Sequence, residues 1–525
     1  MIPENSQNEF VTIFKANNFK CGMYYNDYTV SRIVNDALSH ESKAKKVGRM
    51  GDTKWDGVIR YFDKIKKEFP IGFYKMVVKT LLGYGYPVRI NKDIKPVKYY
   101  DNIETLENEV KKWDLELSLY RHQLSALFSI MNINRVTIMS TTSSGKSLIA
   151  YLTFRTIISK IPNARILMVV PYSNLVVQTA DKFKIYEKDN FINSRVSTSN
   201  KNLDLNSQIV ISTYQAFDSI DSKVLSKYLK TVDVVVVDEV HITGFDKYLR
   251  YCINYKFKIG LTGTIDTKNP EVLFRLFKNF GEIIEISDYK TLKDVDIITP
   301  VEMIICRLNY PESILKNYRS FLSSGLYHHH HRQNGKFNPR LVFDLEMDFI
   351  AQAGHKDGLI LKLLKLDEFK NSNTMIFFQT DIPYMSKIYD TVVEEFGKDN
   401  VRLVNGSTSV EKRTEAQKWM EEGTGRILIA SIVFSTGCDI LNLHNIICAY
   451  WHKSKNITLQ LVGRGMRKHS SKDVIKVWDI VDMLPDYKKE SYSISHSNDR
   501  LKYFKEEGYT IKYLDIMGDG NNGKM

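Results

Sequence analysis

Two successive sets of short apolar runs dominate the chain, each run separated from the next by a longer stretch of mixed polarity. The first set is "RVTIMS", "RILMVVP", "QIVIST", "VDVVVVDE" and "KIGLTGT"; the second is "NTMIFFQ", "VRLVNG", "RILIAS", "NIICAYW" and "VIKVWDIVD". Strands apolar on both sides must be buried on both faces, and such strands alternating with helices form a parallel sheet covered above and below. The pattern therefore predicts α/β architecture with two tandem parallel-sheet domains, at 115–298 and 299–484, facing each other across a cleft. A small α+β domain (1–95) and a charged, partly helical linker (96–114) precede them, and a short helical C-terminal extension with a polar tail (485–525) follows. At 525 residues the chain is too long for one core, which agrees with several domains.

Net charge points toward polyanions. The formal charge is +13, and a basic surface attracts nucleic acid through screened solvent. The densest basic stretch, "KAKKVGRMGDTKWDGVIRYFDKIKK" from 43 to 67, holds nine Lys and Arg among Trp55, Tyr61 and Phe62. Lys54 and Arg60 are candidate phosphate contacts there, and Trp55 is a candidate ring for stacking on a base or wedging at a junction. The alternative is a domain whose aromatics form its own core. The five cysteines are scattered without CxxC spacing, which argues against a disulfide framework or a zinc site and fits a reducing cytoplasm. The start of the sequence carries no leader pattern and no apolar run is long enough for a membrane span. Consecutive His328 to His331 invite a metal reading, but on a loop within an insertion at about 311–355 they converge poorly on one ion.

Chemistry enters at "MSTTSSGKSLI". A buried strand before it and an amphipathic helix after it place Thr142, Ser143, Ser144, Gly145, Lys146 and Ser147 in the turn that a phosphate-binding loop requires. Backbone N–H groups there converge at the positive end of the helix dipole; Lys146 reaches the β- and γ-phosphates, and the Ser147 hydroxyl ligates Mg²⁺. Serine at 143 stands where glycine is usual, and the expectation is a right-handed turn with no need of positive φ. A second strand ends in Asp238 and Glu239, suited to hold Mg²⁺ through a water and to orient and deprotonate an attacking water. In "QLVGRGMRKH", Gln460, Arg464 and Arg467 fall at i, i+4 and i+7, the spacing of one helical face, and paired arginines suit charge developing on a γ-phosphate. ATP sandwiched between the two domains would make a two-state motor.

With "SSGKS", "DEVH" and "QLVGRGMR" in order across two α/β repeats, the chain resembles the superfamily 2 helicases, and within them the recombination and repair helicases of T-even-like bacteriophages. That resemblance implies tandem RecA-like domains, ATP and Mg²⁺ as cofactors, and ATP-driven unwinding of DNA forks, Holliday junctions and R-loops, with RNA a partner in the last. It assigns Gln123 of "LYRHQ" to adenine, Gly437 and Asp439 of "STGCDI" to the nucleotide, and His241, Thr262 and Thr264 to coupling. Ser173, Gln178, Thr213, Ser407 and Thr436 become contacts to single-stranded or branched DNA, gripping phosphates without reading bases. An RNA helicase, a duplex translocase and a non-motor nucleotide switch are the rival readings.

Overall fold

The structure is a computed structural model and describes residues 10–42, 56–113, 115–198, 204–242, 244–323, 332–333, 336–337, 339–379, 383–432, 440–450, 453–484 and 491–517. Lys54, Trp55, His328 to His331, Thr436, Gly437 and Asp439 lie outside the described residues. The chain divides into two compact units, Met1–Ser287 and Asp288–Met525.

The first unit opens with a small mixed sheet of β1 (Val11–Lys15), β2 (Lys20–Tyr24), β3 (Glu68–Pro70) and β4 (Val88–Ile90), ordered β3-β2-β1-β4. Its own core includes Phe62 and Phe69, so part of the basic-aromatic stretch does serve packing. The small domain also docks on the helix Pro270–Phe280. Tyr61 stacks on Phe274 with ring centroids 5.6 Å apart, and Phe73 meets Phe274 at 5.7 Å and Phe277 at 6.4 Å. The approach is close enough that a Cβ on Gly72 would lie 1.9 Å from the Phe277 carbonyl oxygen. The charged segment before the large sheet is no free tether, because its helix Ile103–Val110 buries Leu106 and Val110 in the core of that sheet.

The large sheet of this unit has seven strands, all parallel: β5 (Arg135–Ser140), β6 (Ile166–Val170), β7 (Val196–Thr198), β8 (Ile209–Thr213), β9 (Val234–Asp238), β10 (Phe257–Thr262) and β11 (Glu282–Ser287), in the order β11-β5-β10-β9-β6-β8-β7. Successive residues of a strand point to opposite faces. Ile166, Met168 and Val170 enter one core while Leu167 and Val169 enter another, which is the physical reason the run is apolar throughout.

The second unit repeats the plan with β12 (Val301–Asn309), β13 (Asn373–Phe378), β14 (Val401–Val404), β15 (Ile427–Ser431), β16 (Leu443–Tyr450), β17 (Ile475–Met483) and β18 (Thr510–Met517) in the order β14-β15-β13-β16-β17-β12-β18, again seven parallel strands. Two features exceed the sequence expectation. The C-terminal extension contributes not only the helix Tyr492–Glu507 but also β18, the edge strand beside β12. Within 311–355, the helices Glu312–Ser323 and Pro339–Ala353 bury Tyr318, Phe343 and Ile350, and the Glu346 carboxylate accepts the backbone N–H groups of Tyr492 and Ser493 at 3.0 and 2.9 Å. That stretch therefore holds the start of the C-terminal helix. No helix among the described residues is long and apolar enough to cross a membrane.

Candidate functional site

Sheet order brings the chemistry together. β10 lies between β5 and β9, with Thr262 beside Met139 and Asp238 beside Leu261, so the ends carrying Ser140, Thr262 and Asp238 are neighbours at one edge. Ligand sites in parallel sheets form at these carboxyl ends. Ser173, which starts the helix after β6, and Thr213, which ends β8, continue along the same edge.

The loop after β5 is braced from three directions. Ser140, fully buried, donates its hydroxyl to the Ser144 hydroxyl at 2.5 Å and lies 2.8 Å from the Ser287 hydroxyl at the end of β11. The Ser144 carbonyl lies 2.8 Å from His122 Nε2 and accepts the Gln123 amide N–H at 3.1 Å. Gln123 is itself locked, its Oε1 accepting the Tyr120 backbone N–H at 3.0 Å. Lys146 begins the helix Lys146–Lys160, with Ser147 next, and its Nζ lies 3.2 Å from the Ser140 carbonyl and 3.4 Å from that of Thr141. A Cβ on Gly263 would come within 3.2 Å of that Nζ and 3.3 Å of Thr142 Cγ2, so a side chain there would crowd the lysine and the loop. One expectation is corrected: Ser143 takes φ 66°, left-handed backbone, two residues before Gly145 at φ 89°. Turning N–H groups into one concavity calls for such backbone, at a cost of about 1 kcal/mol for a residue with a side chain.

The acidic end of β9 carries more stored geometry. Glu239 sits at φ 46°, and its backbone N–H donates to Asp238 Oδ1 at 3.0 Å. Burial and the adjacent Glu239 carboxylate push Asp238 up to about 6, against the pull of Lys146. Glu239 Oε2 lies 3.4 Å from both Thr262 Oγ1 and His241 Nδ1, and His241 Nδ1 lies 2.9 Å from the same threonine hydroxyl. Thr262 is buried and its hydroxyl donates to the Thr264 carbonyl at 2.9 Å, so the acid, the imidazole and the "TGT" turn form one connected network. Burial lowers the His241 pKa, favouring the neutral ring. Arg275 holds the segment in place by donating to the carbonyls of Val240 and His241 at 3.1 and 2.8 Å while pairing with Asp246 at 3.1 Å.

Other sequence-predicted residues are more dispersed. Thr213 is buried and caps the short helix after it, accepting from Ala216 N at 3.3 Å. Gln178 is half-buried with its amide oxygen unpaired. Ser407 is exposed with its hydroxyl on Asn405 at 2.8 Å, and Arg60 is paired with Asp56. In the second unit Gln460 and Arg464 lie on the helix Lys455–Gly465, but Arg467 does not. That helix ends at Gly465 with Met466 as its cap, and Arg467 lies in an extended bridge to Ile298, its carbonyl accepting from the Thr299 hydroxyl at 3.0 Å. The single helical face is thus corrected to two residues. His122, Ser287 and Arg275 were not singled out from the sequence; only His122, inside "LYRHQ", carried a local signal.

A phosphate loop, an acidic strand end and a threonine turn on adjacent strands define a nucleotide-hydrolysing motor of the phosphate-loop class. Family comparison agrees: residues 104–267 match the family described as "Type III restriction enzyme, res subunit", and residues 355–469 match the helicase conserved C-terminal domain. The chain is 26% identical over 494 residues to the ATP-dependent DNA helicase uvsW of Enterobacteria phage T4, covering 88% of this chain and 91% of that one. The crystal structure of T4 UvsW is 23% identical with a TM-score of 0.47, covering 97% of this chain and 100% of that one. A fragment described as an HsdR subunit of a type I restriction enzyme from Vibrio vulnificus has the same fold at 16% identity, TM-score 0.56, covering 88% of this chain and 79% of that one. The chain belongs to the superfamily 2 helicases and is an ATP-driven enzyme.

Proposed function

We propose that this helicase spends ATP on unwinding and remodelling branched DNA, forks, Holliday junctions and R-loops among them, in phage recombination and repair, in the host cytoplasm. The observation that carries the reading is the network from Glu239 through His241 and Thr262 to Thr264, because it ties the group beside the attacking water to a turn that can report phosphate release. DNA is favoured as the substrate by the name of the T4 relative, which spans nearly all of this chain, and by the +13 charge. Domain limits of 1–95, 115–298, 299–484 and 485–525 belong to the same proposal.

Lys146 binds the β- and γ-phosphates, Gln123 lies beside the loop where adenine would be read, and Gly437 and Asp439 are assigned to the nucleotide by motif. Glu239 orients the attacking water and takes its proton; its left-handed backbone directs the carboxylate toward Thr262 and His241. The residues present fit Mg²⁺. Ser147 and Asp238 are hard oxygen donors, and the burial and neighbouring Glu239 carboxylate that raise Asp238 outweigh the pull of Lys146 and Lys182, a penalty that a divalent cation would offset. When bound, Mg²⁺ supplies charge neutralisation at the phosphates. Gln460, Arg464 and Arg467 are assigned, from their motif, to charge on the γ-phosphate. Ser173, Gln178, Thr213, Ser407 and Thr436 are proposed strand contacts, with Lys54, Trp55 and Arg60 at the branch; Arg60 must exchange Asp56 for a phosphate to serve.

The test is ATP turnover and strand separation on single strand, duplex, fork, Holliday junction, RNA and RNA–DNA hybrid, with Lys146→Ala as control. Branched DNA is expected to stimulate turnover most, and Lys146→Ala to reduce it at least 100-fold. Stronger stimulation by RNA would replace the reading with an RNA helicase. Unchanged turnover in Lys146→Ala would remove the assigned ATP site.

A further inference from the structure

Between Phe62 and Phe69, both buried, the chain makes a tight reversal at Asp63–Glu68. Asp63 and Glu68 exchange backbone hydrogen bonds at 2.8 and 3.2 Å, and Asp63 Oδ1 accepts the N–H groups of Ile65 and Lys66 at 3.1 and 3.0 Å. Lys67 closes the turn with φ 53°. Its carbonyl accepts from Met23 N at 3.0 Å, and its ammonium lies 4.3 Å from the Tyr25 ring centroid. The Lys20–Glu68 ion pair at 2.9 Å fixes the other strand. The loop is therefore a stiff projection anchored at both ends in the small domain.

Its tip is chemically odd. Turns favour Gly, Asn, Asp and Ser, each for a backbone reason, whereas a β-branched apolar side chain offers a turn nothing. Ile65 nevertheless sits there at 95% exposure, the highest among the exposed large apolar side chains of the described residues. Exposed Lys64 and Lys66 flank it. Beside the turn, at the end of β2, Tyr24 is 65% exposed with its ring stacked on Phe14 at 4.6 Å and 19°. Among the described residues, no packing uses Ile65.

We propose that this tip is a wedge that enters the branch point of DNA, Ile65 between bases and Lys64 and Lys66 on the flanking phosphates. Apolar wedges that unstack a base step beside phosphate-neutralising cations are an established way to distort a duplex. One projecting side chain is far too small for a stable protein interface, which buries about 1,200 Å² or more. A gap at a branch, already short of stacking partners, is the partner that a single isoleucine fits. Tyr24, on its Phe14 support, offers a face to the displaced base. The inference rests on the branched-DNA reading above.

The test uses the full chain and a forked duplex carrying 2-aminopurine at the branch. Wild-type protein is expected to raise the fluorescence on binding and to separate the strands. Ile65→Ser should lose most of that rise and slow separation about 10-fold, with ATP turnover on single-stranded DNA within two-fold of wild type; Ile65→Leu should restore both. Exposure of the position keeps folding out of the comparison. If Ile65→Ser matches wild type in fluorescence and separation, the wedge is overturned while the branched-DNA reading stands. If wild type binds the fork with no fluorescence change and does not separate it, the branched-DNA reading falls first.

Discussion

Replacing Gly145 with alanine tests how the phosphate loop is built. The substitution meets two obstacles. Gly145 has φ 89°, where an L-residue costs about 1 kcal/mol, and its added Cβ would lie 2.4 Å from Gln123 Nε2. Gln123 is 3% exposed, and swinging its amide aside to admit the methyl takes it from both Ser144 O and Tyr120 N. Two buried hydrogen bonds at about 1 kcal/mol each bring the total to about 3 kcal/mol. ATP binding must restore the loop geometry, so the cost falls on kcat/KM for ATP, about 100-fold at 1.36 kcal/mol per decade. Gln123→Ala alone forfeits the same two bonds, about 2 kcal/mol or roughly 30-fold. In the double variant the collision is gone and only the left-handed cost is added, so the total returns to about 3 kcal/mol instead of 5, a coupling of about 2 kcal/mol. Steady-state ATPase assays on the four proteins, with thermal melts to confirm folding, measure this cycle. Strict additivity, or a Gly145→Ala enzyme within two-fold of wild type, would refute the geometry described for the loop.

Two predictions concern buried charge elsewhere. Lys258, 3% exposed within β10, has its ammonium pushed down to about 7, chiefly by burial and then by Arg135. The folded state thus favours the neutral amine: this contribution to stability is complete above the unfolded value of 10.5 and is lost as pH falls through about 7. Lys258→Met should therefore stabilise the first unit by roughly 3 to 5 kcal/mol at pH 6, with the gain shrinking by pH 9; denaturant titrations at the two pH values measure it, and a pH-independent difference would contradict it. In the second unit Arg500 donates to both oxygens of Asp479, at 3.0 and 2.6 Å, with both side chains buried. Arg500→Met should cost about 3 to 5 kcal/mol by leaving a buried carboxylate without its cation, and adding Asp479→Leu should recover more than half, as read from unfolding midpoints.

What the sequence discloses, and what it withholds, follows the range of the forces involved. Strand ends were legible because each is a local event: an apolar run stops at "STTSSGKS", at "DE" or at "TGT", and the polar residues after it announce the edge. That β10 would lie between β5 and β9, and so set Thr262 between Lys146 and Glu239, was not local at all, because strand order depends on pairing between segments far apart in the chain. Ser287 and Arg275 escaped for the same reason: each acts on a segment dozens of residues away. Ser143 shows a different limit, since a serine letter carries no sign of φ, and the turn imposes left-handed backbone whether or not glycine is there. Arg467 shows a third. Periodicity placed it on a helical face, yet Gly465 ends the helix at Met466, and a side chain's direction after a cap is set by the bridge to Ile298 and not by 3.6-residue spacing. The strand β18 was present as an alternation in "TIKYLDIM", but an edge strand with one exposed face has too few apolar residues to stand out from a polar tail until its partner β12 is known. The same reasoning explains Ile65: in sequence it is one apolar letter in a lysine run, and only the closed turn beneath it shows that the described part of the fold holds it out at 95% exposure.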